Sequence, residues 1–374
     1  MKTIGIVGGG IGGVAAAAAL HQLGIPSVVY ERATHLTEVG AGMMLWPNAT
    51  RILENLGLLS RVVDSSGLNT NFLVRNKSGK VLMDIRLGAF DVPALCTRRS
   101  DLLRALLSAV PPDQIRLGRE LSRIEILKSG VRVHFSDGSV AEHSAIIGAD
   151  GVHSRVRSQI FGIAEPVYRG YVVWRGIGYY SGVAVPPESN SETWGRGSRF
   201  GILQMGEKSF TWYATANRDH SNPTDPEQRK KLLLRLFSGW HEPIPELIES
   251  TGSILENGAY DLRLRRWTSG PVALLGDAAH LATPNLGQGG GMALEDAAAL
   301  AKCIHGENSI EVALRRYEAL RRPRTGHIQQ RSQWMGFIGQ WQNRAVVAGR
   351  GAVTRLLPAA LFEHNLRRTY SYEV

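Results

Sequence analysis

The hydrophobic and polar positions at the start of the chain predict a strand, a tight turn and a helix. Residues 2–7 (KTIGIV) form a short β-rich run, and the glycines GGGIGG and an alanine-rich stretch to Leu20 follow at once. A second β-rich run, residues 27–31 (SVVYE), comes after the helix. This alternation predicts a βαβ unit with two parallel strands.

The pattern becomes more varied after this unit. Residues 47–56 predict a short amphipathic helix that ends before Gly57, and residues 72–85 predict a hairpin around the turn KSGK. Ser100 is in position to cap a further helix. The leucines of that helix form one stripe, namely Leu102, Leu103, Leu106 and Leu107.

The second half of the chain predicts many short strands and few helices. Residues 171–217 are rich in strand-forming and aromatic residues, and Asp225-Pro226 opens a helix after them. Strand character returns at residues 272–275, and a helix is expected from about Met292. We therefore predict a dinucleotide-binding domain that is interleaved with a β-rich insert.

The composition is that of a globular protein. Of the 374 residues, 43% are hydrophobic and 20% are charged, which excludes a disordered chain. No apolar run approaches the roughly 20 residues that cross a bilayer, and no secretory signal pattern opens the chain. We therefore expect a soluble, cytoplasmic protein. With only Cys96 and Cys303, a cysteine-rich metal site and a disulfide framework are excluded, and we expect no metal.

The positive charge is concentrated near the C-terminus. The whole chain carries a formal net charge of +10, and residues 315–368 contain eleven arginines and two glutamates, which amounts to +9. Nucleic-acid binding would explain such a segment, but no recognised nucleic-acid motif accompanies it. We favour a solvated helical face and expect no nucleic-acid partner.

The first turn carries the strongest local signal for a ligand. Gly8, Gly10 and Gly13 fit G-x-G-x-x-G between a predicted strand and a predicted helix, which is the context that a dinucleotide site requires. Glu31 ends the second strand 18 residues after Gly13 and is placed to accept from ribose hydroxyls. The glycines let the backbone approach a pyrophosphate, and the helix N-terminus favours its negative charge.

Three motifs together resemble one family. GGGIGG at residues 8–13, GADGVHSRVR at 148–157 and GDAAHLATPNLGQGGGMALEDA at 276–297 are similar to the motifs of single-component (group A) FAD-dependent aromatic monooxygenases, the para-hydroxybenzoate hydroxylase class. The resemblance covers nearly the whole chain. Further segments resemble alkylquinolone monooxygenases and, less closely, urate hydroxylases; they are Trp174, GSRFG at 197–201, Trp212-Tyr213 and GFIGQW at 336–341.

The resemblance implies an α/β fold. Its parts are a Rossmann-like FAD-binding domain, an interleaved β-sheet substrate domain and C-terminal helices. The FAD-binding domain would be discontinuous, with residues 1–70, 96–165 and 268–330. The substrate domain would comprise residues 71–95 and 166–267, and residues 331–374 would form the helical segment.

The resemblance also assigns the cofactor FAD and its contacts. Asp277 ends a predicted buried strand, and its carboxylate suits the polyol of the flavin's ribityl chain. The glycine-rich turn after Pro284 opens a helix whose N–H groups favour negative charge on a reduced flavin. The implied FAD-binding residues are Gly8, Gly10, Gly13, Glu31, Arg32, Met44, Arg99, Leu121, Asp277, Gly287, Gly289 and Gly290.

The implied chemistry is hydroxylation of an aromatic ring. NADH or NADPH reduces FAD, O2 is captured as a C4a-hydroperoxide, and one oxygen atom passes to an electron-rich ring. The chain has no second strand-associated G-x-G-x-x-G, so the nicotinamide cofactor would bind transiently. A cation beside the substrate's heteroatom is expected, and Arg199, Tyr213 and Pro284 are the predicted catalytic residues.

The predicted substrate contacts come from the β-rich insert. A plain packing role within the sheet stays open for these side chains, and Arg199 is the one we favour for function. The predicted contacts are Trp174, Arg199, Gln204, Trp212 and Tyr213.

Several alternatives remain at this stage. The substrate is expected to be a small aromatic or N-heteroaromatic compound, with a quinolone-like ring first and a purine or phenolic ring after it. A flavin epoxidase acting on an olefin and a non-enzymatic FAD-fold escort protein are the rival functions. The basic C-terminal segment could contact an anionic membrane surface weakly, and the protein could be a monomer or a homodimer.

Overall fold

The computed structural model describes residues 3–36, 41–87, 90–220 and 223–374. The strands are β1 (Ile4–Val7), β2 (Ser27–Tyr30), β3 (Gly42–Leu45), β4 (Gly67–Leu68), β5 (Asn71–Asn76), β6 (Val81–Arg86), β7 (Leu95–Arg98), β8 (Ile115–Arg116), β9 (Leu121–Leu127), β10 (Gly130–Phe135), β11 (Val140–His143), β12 (Ala145–Gly148), β13 (Val167–Tyr179), β14 (Ser189–Trp194), β15 (Ser198–Gln204), β16 (Ser209–Asn217), β17 (Leu255–Asp261), β18 (Thr268–Ser269) and β19 (Val272–Leu274). The helices are α1 (Ile11–Gln22), α2 (Pro47–Asn55), α3 (Leu59–Val63), α4 (Arg99–Leu107), α5 (Arg155–Phe161), α6 (Pro226–Leu236), α7 (Ile244–Glu249), α8 (Asp277–His280), α9 (Gly289–Gly306), α10 (Ile310–Gly339), α11 (Arg344–Leu356) and α12 (Ala359–Tyr370).

A mostly parallel sheet forms the centre of the first layer. Its strand order is β18-β19-β12-β1-β2-β8, and only the short edge pair β18/β19 is antiparallel. Every residue of β1 and β12 is buried, as expected for parallel strands that are covered on both faces. The alanines of α1 allow this helix to pack closely against α9. The predicted βαβ unit is therefore confirmed.

A seven-stranded sheet forms the second layer. Its order is β17-β13-β16-β15-β14-β5-β6, and the pair β14/β5 is the parallel one. One face of this sheet buries Trp174, Phe200 and Trp212 with side chains of α6 and α7. The predicted hairpin joins the sheet as β5 and β6, so that prediction is confirmed.

The C-terminal helices cover one edge of the second sheet. Helix α10 runs for 30 residues, and α11 and α12 both contact β6. Within the described ranges, no single helix is long and apolar enough to cross a membrane, and α11 and α12 meet that test only as a pair with an 85° bend.

The structure corrects two predicted helix starts. Helix α4 begins at Arg99 without a side-chain cap, so Ser100 is already inside the helix and does not cap it. Helix α9 begins at Gly289, three residues before Met292, because glycines at its N-terminus adopt helical geometry. Lys2, at the start of the first predicted strand, lies outside the described residues. The α/β fold class is confirmed.

Candidate active site

One large cavity is lined by residues from both sheets and from the C-terminal helices. Its volume is about 1390 Å³. Pockets for a single small ligand are usually about 300–1,000 Å³, so this cavity is large enough for a dinucleotide and a second molecule. One end is lined by glycines and charged residues, and the other end by strands of the second sheet and by α12.

The glycine turn after β1 brings backbone to the cavity. Gly10, Ile11 and Gly12 line the cavity at the N-terminus of α1, where no side chain caps the helix. Gly8 has a φ of +113°, and a Cβ on Gly13 would lie 1.9 Å from the Gly8 carbonyl oxygen. Only glycine fits either position, and the uncapped helix start offers N–H groups to an anion.

The three other predicted contacts near this turn are not cavity-lining residues. Glu31 accepts hydrogen bonds from the backbone N–H of Gly9 at 2.7 Å and of Ala33 at 2.8 Å, so its carboxylate is fixed beside the turn. Arg32 is exposed on the surface. Leu121 is buried in the core, and its carbonyl accepts from Arg155 at 2.8 Å.

The second motif lies against the same end of the cavity. Gly151 and Arg99 line the wall. Asp150 caps the start of α5, because its carboxylate accepts from the Ser154 hydroxyl at 2.5 Å and from the Arg155 N–H at 2.7 Å. Burial raises the pKa of Asp150. Its role in this structure is to shape the turn.

Asp277 presents its carboxylate to the cavity from the first position of α8. The turn before it is held by Asp296, which accepts from the Gly276 N–H at 3.0 Å and from Nε of Arg321 at 2.7 Å. His280 Nε2 lies 2.5 Å from the same carboxylate. Burial alone would raise the pKa of Asp296, but His280 and Arg321 lower it to about 2.

The third motif forms a turn opposite β3. Pro284, Gly287, Gly289 and Gly290 line the cavity, and Met44 faces them from β3. Gly287 is left-handed, with a φ of +59°. The 18-residue helix α9 starts here without an acidic residue or a side-chain cap. Its free N–H groups favour a ligand atom that carries negative charge.

These features fit FAD. Two uncapped helix starts offer N–H groups at separate points of the wall, and the Asp277 carboxylate is exposed between them in the chain. The start of α1 suits a pyrophosphate, and the Asp277 carboxylate suits a polyol. The start of α9 suits the polar edge of a flavin. The residues that line the cavity among those predicted are Gly10, Met44, Arg99, Asp277, Gly287, Gly289 and Gly290.

The other end of the cavity contains a buried polar cluster. Tyr213 on β16 donates a hydrogen bond to Glu192 on β14, and both residues line the cavity. Arg199 donates to Oε1 of Glu192 at 3.0 Å and to the side-chain oxygen of Asn285 at 2.5 Å. Tyr171 donates to the same Asn285 oxygen at 3.2 Å. Asn285 is the residue after Pro284, so the cluster connects the second sheet to the third motif.

The structure separates the predicted substrate residues into two groups. Tyr213 lines the cavity, whereas Arg199 is 1% exposed and lies behind Glu192 and Asn285. Trp174 is fully buried on the opposite face of the sheet, and Gln204 is not a cavity-lining residue either. Trp212 borders the cavity, but its indole N–H donates to Thr251 in the core. The predicted substrate contacts of Trp174 and Gln204 are therefore corrected. Strand alternation turns Trp174 to the core face, and Gln204 lies away from the cavity.

Apolar side chains line the wall next to this cluster. Strands β5 and β6 contribute Val74, Met83 and Ile85, and α12 contributes Phe362 and Leu366. Helix α12 also closes the wall beside the turn at residues 284–287, since its last residue, Tyr370, stacks on Trp46 with 4.2 Å between the ring centroids. At this end of the cavity, the wall is therefore polar at Glu192 and Tyr213 and apolar where β5, β6 and α12 line it.

Sequence reasoning missed three contributors to this end of the cavity. Glu192 lies in β14 (SNSETW), a strand whose polar residues are all buried. Polar residues are mostly exposed in proteins, so the sequence pattern alone did not identify this strand as part of the site. Arg175 lines the cavity beside Tyr213, and burial and the nearby Arg99 lower its pKa. The third contributor is α12, whose role depends on where the chain end packs.

Comparisons with known proteins agree with this geometry. The family described as FAD binding domain matches residues 1–332. Aurachin C monooxygenase/isomerase of Stigmatella aurantiaca is 36% identical over 99% of this chain and 98% of its own. The 2-heptyl-3-hydroxy-4(1H)-quinolone synthase of Pseudomonas aeruginosa is 33% identical over 96% of this chain and 95% of its own.

A solved structure is similar over the whole chain. Klebsiella pneumoniae HpxO, complexed with FAD and uric acid, superposes with a TM-score of 0.91 at 28% identity and covers 99% of this chain and 97% of its own. The cavity with its two helix starts, the three motifs and these similarities agree. The chain belongs to the FAD binding domain family, and within it to the FAD-dependent aromatic monooxygenases of the para-hydroxybenzoate hydroxylase class.

Proposed function

We propose that this monooxygenase hydroxylates an N-heteroaromatic ring that carries an apolar chain, with 2-alkyl-4-quinolones as the first compound class. The observation that carries the proposal is the change from polar to apolar wall at one end of the cavity. Tyr213 and Glu192 suit the acidic N–H or O–H of a ring, and the wall of Val74, Met83 and Leu366 suits a hydrocarbon chain. A relative with similar coverage is named for a heptyl-quinolone product.

The cofactor end would hold FAD through backbone groups and one carboxylate. We assign the pyrophosphate to the N–H groups at Gly10–Gly12, with Arg99 nearby, and the ribityl chain to Asp277. FAD, when bound, supplies O2 activation with electrons from NADH or NADPH. Gly289 and Gly290 would stabilise negative charge on the cofactor ring from the start of α9.

The substrate end would orient the ring and exclude water. Pro284 lines the cavity between the glycine turn and Tyr213, so it would lie against the reacting ring. Tyr213 would contact the ring's acidic heteroatom. We propose that Arg199 acts indirectly, because it is fully buried and its charge is directed at Glu192. Its cation keeps the Glu192 carboxylate stable in a buried place.

The rival functions make different demands on this cavity. A purine or a simple phenol would leave the apolar wall without a partner, and buried apolar surface that meets only water costs free energy. An escort protein would not need the two uncapped helix starts and the exposed Asp277 carboxylate. An olefin epoxidase would not need a polar row that ends in a carboxylate.

Flavin reduction in a stopped-flow instrument tests the proposal. The holoenzyme is mixed with NADH or NADPH in the presence of 2-heptyl-4-quinolone, unsubstituted 4-quinolone, urate or a phenol. We expect the heptyl compound to accelerate reduction and to be consumed with O2, at a concentration at least tenfold below that needed for the unsubstituted ring. One buried methylene contributes about 0.8 kcal/mol, so a partly buried heptyl chain gives a difference of this size or larger.

Three results would contradict the proposal. If urate or a phenol accelerates flavin reduction and neither quinolone does, the substrate is a purine or a phenol instead of a quinolone. If none of these compounds accelerates flavin reduction but an added olefin does, the result would support the epoxidase. A purified protein that binds no flavin would support the escort function.

We further propose that α11 and the start of α12 contact an anionic membrane surface. The C-terminal apolar surface consists of Val346, Val353, Leu356, Leu357 and Leu361, all of them exposed, with Leu356 82% exposed. It lies in the arginine-rich segment of the chain. Exposed apolar residues with neighbouring arginines suit an anionic bilayer. Phe362 and Leu366 on α12 line the cavity, so a lipophilic substrate would enter next to the bilayer.

Vesicle co-sedimentation tests this contact. We expect the holoenzyme to bind phosphatidylglycerol vesicles at low salt and to bind phosphatidylcholine vesicles at least tenfold more weakly. The double variant Val353→Asp/Leu356→Asp should lose binding, and Val140→Asp, at an exposed position on β11, is the control. Equal binding by all three proteins, or none at low salt, would contradict the contact. A stable dimer that this double variant separates would identify a second copy as the occupant.

Three further points are proposals of the same kind. The protein is a monomer or a homodimer in the cytoplasm, and its two free, buried cysteines suit a reducing compartment. We also propose the domain division given above, with residues 71–95 in the substrate domain. Its support is that β5 and β6 pair with β14 in the second sheet.

A further inference from the structure

Three neighbouring strands place Glu192, Gly201 and Tyr213 in one row across the second sheet. Glu192 on β14 pairs with Gly201 on β15, and Gly201 pairs with Tyr213 on β16. Side chains in such a row project from the same face of a sheet. The two outer members of this row line the cavity.

Gly201 is the reason that the outer members can touch. A Cβ at this position would lie 2.1 Å from Cε1 of Tyr213 and 2.7 Å from its hydroxyl oxygen. The tyrosine ring therefore lies across β15 in the space where a side chain would stand. It donates its hydroxyl proton to Oε2 of Glu192.

The other oxygen of Glu192 is fully engaged. Oε1 accepts from Nη1 of Arg199 at 3.0 Å and from the indole N–H of Trp194 at 2.7 Å. Arg199 is buried and does not line the cavity. Two donors thus hold Oε1 in place, and Oε2 accepts from the hydroxyl of Tyr213, a residue that lines the cavity.

We propose that Glu192 is the acceptor of the substrate's acidic proton and that the Tyr213 hydroxyl passes the proton to it. The inference rests on the proposed function, since it needs a ring with an acidic N–H or O–H. The substrate's X–H bond breaks as an O–H bond forms on Tyr213, while the original tyrosine O–H bond breaks and an O–H bond forms on Glu192. The ring becomes an electron-rich anion, and the reverse transfer returns the proton to the hydroxylated product.

Tyr213 could not serve as a stored base by itself. Burial and the adjacent Glu192 hold its pKa well above that of a free tyrosine. It can accept a proton only while it gives its own proton away. Among the described residues, the charged or titratable groups that face Glu192 are Arg199 on β15, Tyr213 on β16 and Arg350 on α11.

The test compares variants of the holoenzyme with 2-heptyl-4-quinolone over a range of pH. For Glu192→Gln we expect kcat near neutral pH to fall at least 100-fold, which is within the usual contribution of general base catalysis. KM should change little. The remaining activity should rise about tenfold per pH unit toward the pKa of the substrate, because only the ionised substrate then reacts.

Two further variants and one substrate analogue distinguish proton transfer from a structural effect. Gly201→Ala leaves Glu192 and Arg199 paired but displaces the tyrosine ring, and it should show the same pH dependence. Asp84→Asn, on β6 of the same sheet and exposed, is the matched control and should behave as the wild type. An N-methyl quinolone has no acidic proton, so Glu192→Gln should not slow its turnover further. Flavin content confirms that each variant is folded.

The outcomes separate the two claims. If the heptyl quinolone fails to accelerate flavin reduction in the wild type, the proposed function is overturned and the relay with it. If the wild type responds and Glu192→Gln loses activity equally at every pH, or keeps it, only the relay is overturned. An equal loss with the N-methyl compound would show that Glu192 supports the fold of the wall and accepts no proton.

Discussion

The two ends of the cavity are built by different means. The cofactor end uses backbone groups from short glycine-rich motifs, each of them contiguous in the chain, and only a few side chains such as Asp277. The substrate end uses side chains from separate elements, namely the consecutive strands β14, β15 and β16 and the distant helix α12. Substitution of a glycine displaces the backbone groups of the cofactor end, whereas substitution of one side chain at the substrate end can remove a single contact and leave the others in place.

The two ends also differ in how charge is placed. Behind the cofactor end, Glu295 and Asp296 pair with Arg321, and all three are buried away from the ligand. At the substrate end, Arg199 pairs with Glu192, which lines the cavity itself. The first arrangement fixes a turn. The second leaves one charged group where it can act on a ligand.

The largest effect is expected from Gly13→Ala. Its Cβ would lie 1.9 Å from the Gly8 carbonyl oxygen, so the first turn must move. Overpacking of this kind costs about 3 kcal/mol, and FAD affinity should fall roughly 100-fold. The measurement is fluorescence titration of the apoprotein with FAD. Gly326→Ala, with no atom near its Cβ, should bind FAD normally, and equal affinities would contradict the role of this turn.

A smaller effect is expected from Asp277→Ala. Loss of a hydrogen bond from a charged group costs about 1.5–3 kcal/mol, so FAD affinity should fall about 10- to 100-fold. In contrast, Glu192→Gln should leave FAD affinity unchanged, because it alters only the substrate end. The same titration measures both, and a weaker FAD complex in the second variant would show that the two ends are coupled.

The buried ion pairs behind the cofactor end predict a pH dependence of stability. The pKa of Asp296 is about 2 in the folded protein and 3.8 in its ordinary state. A lowered pKa stabilises the fold above the ordinary value, and this contribution, roughly 2 kcal/mol, is lost as the pH falls from about 4 toward 2. Urea unfolding at pH 3 and pH 6 should show a smaller difference for Asp296→Asn than for the wild type. An unchanged difference would contradict this assignment.

The smallest effect is expected at the apolar wall. Leu366→Ala should raise KM for 2-heptyl-4-quinolone about tenfold, since a pocket contact of this size is worth about 1–3 kcal/mol. KM for the unsubstituted ring should stay the same. Steady-state kinetics on the two compounds check the prediction. An equal rise for both would place Leu366 beside the ring instead of the chain.

The cofactor end was largely predictable from the sequence. Gly10, Asp277 and Gly289 lie in motifs whose spacing specifies a turn and a helix start, and those local structures already determine where the N–H groups point. Glu31, Arg32 and Leu121 were less predictable, because a residue near the motif need not reach the wall. The domain boundaries and the individual contacts remain predictions.

The substrate end was only partly predictable. Tyr213 was predicted and lines the cavity, but Trp174, predicted as a substrate contact, is buried on the opposite face of the sheet, and Glu192 was missed. Gly336 and Gly339 of the predicted GFIGQW segment illustrate the reason. A Cβ at Gly339 would lie 2.7 Å from Arg199, and one at Gly336 would lie 2.6 Å from Asn285, which are contacts between distant parts of the chain.

The sequence by itself determined the α/β fold, the glycine turns and the class of cofactor, because these depend on contiguous residues and on local backbone geometry. Only the tertiary structure decided which side chains meet at the substrate end. The register between β14, β15 and β16 brings Glu192 to Tyr213 across Gly201, and the packing of α12 sets the apolar wall. Register and packing arise from the summed burial of many distant residues, so no short motif encodes them.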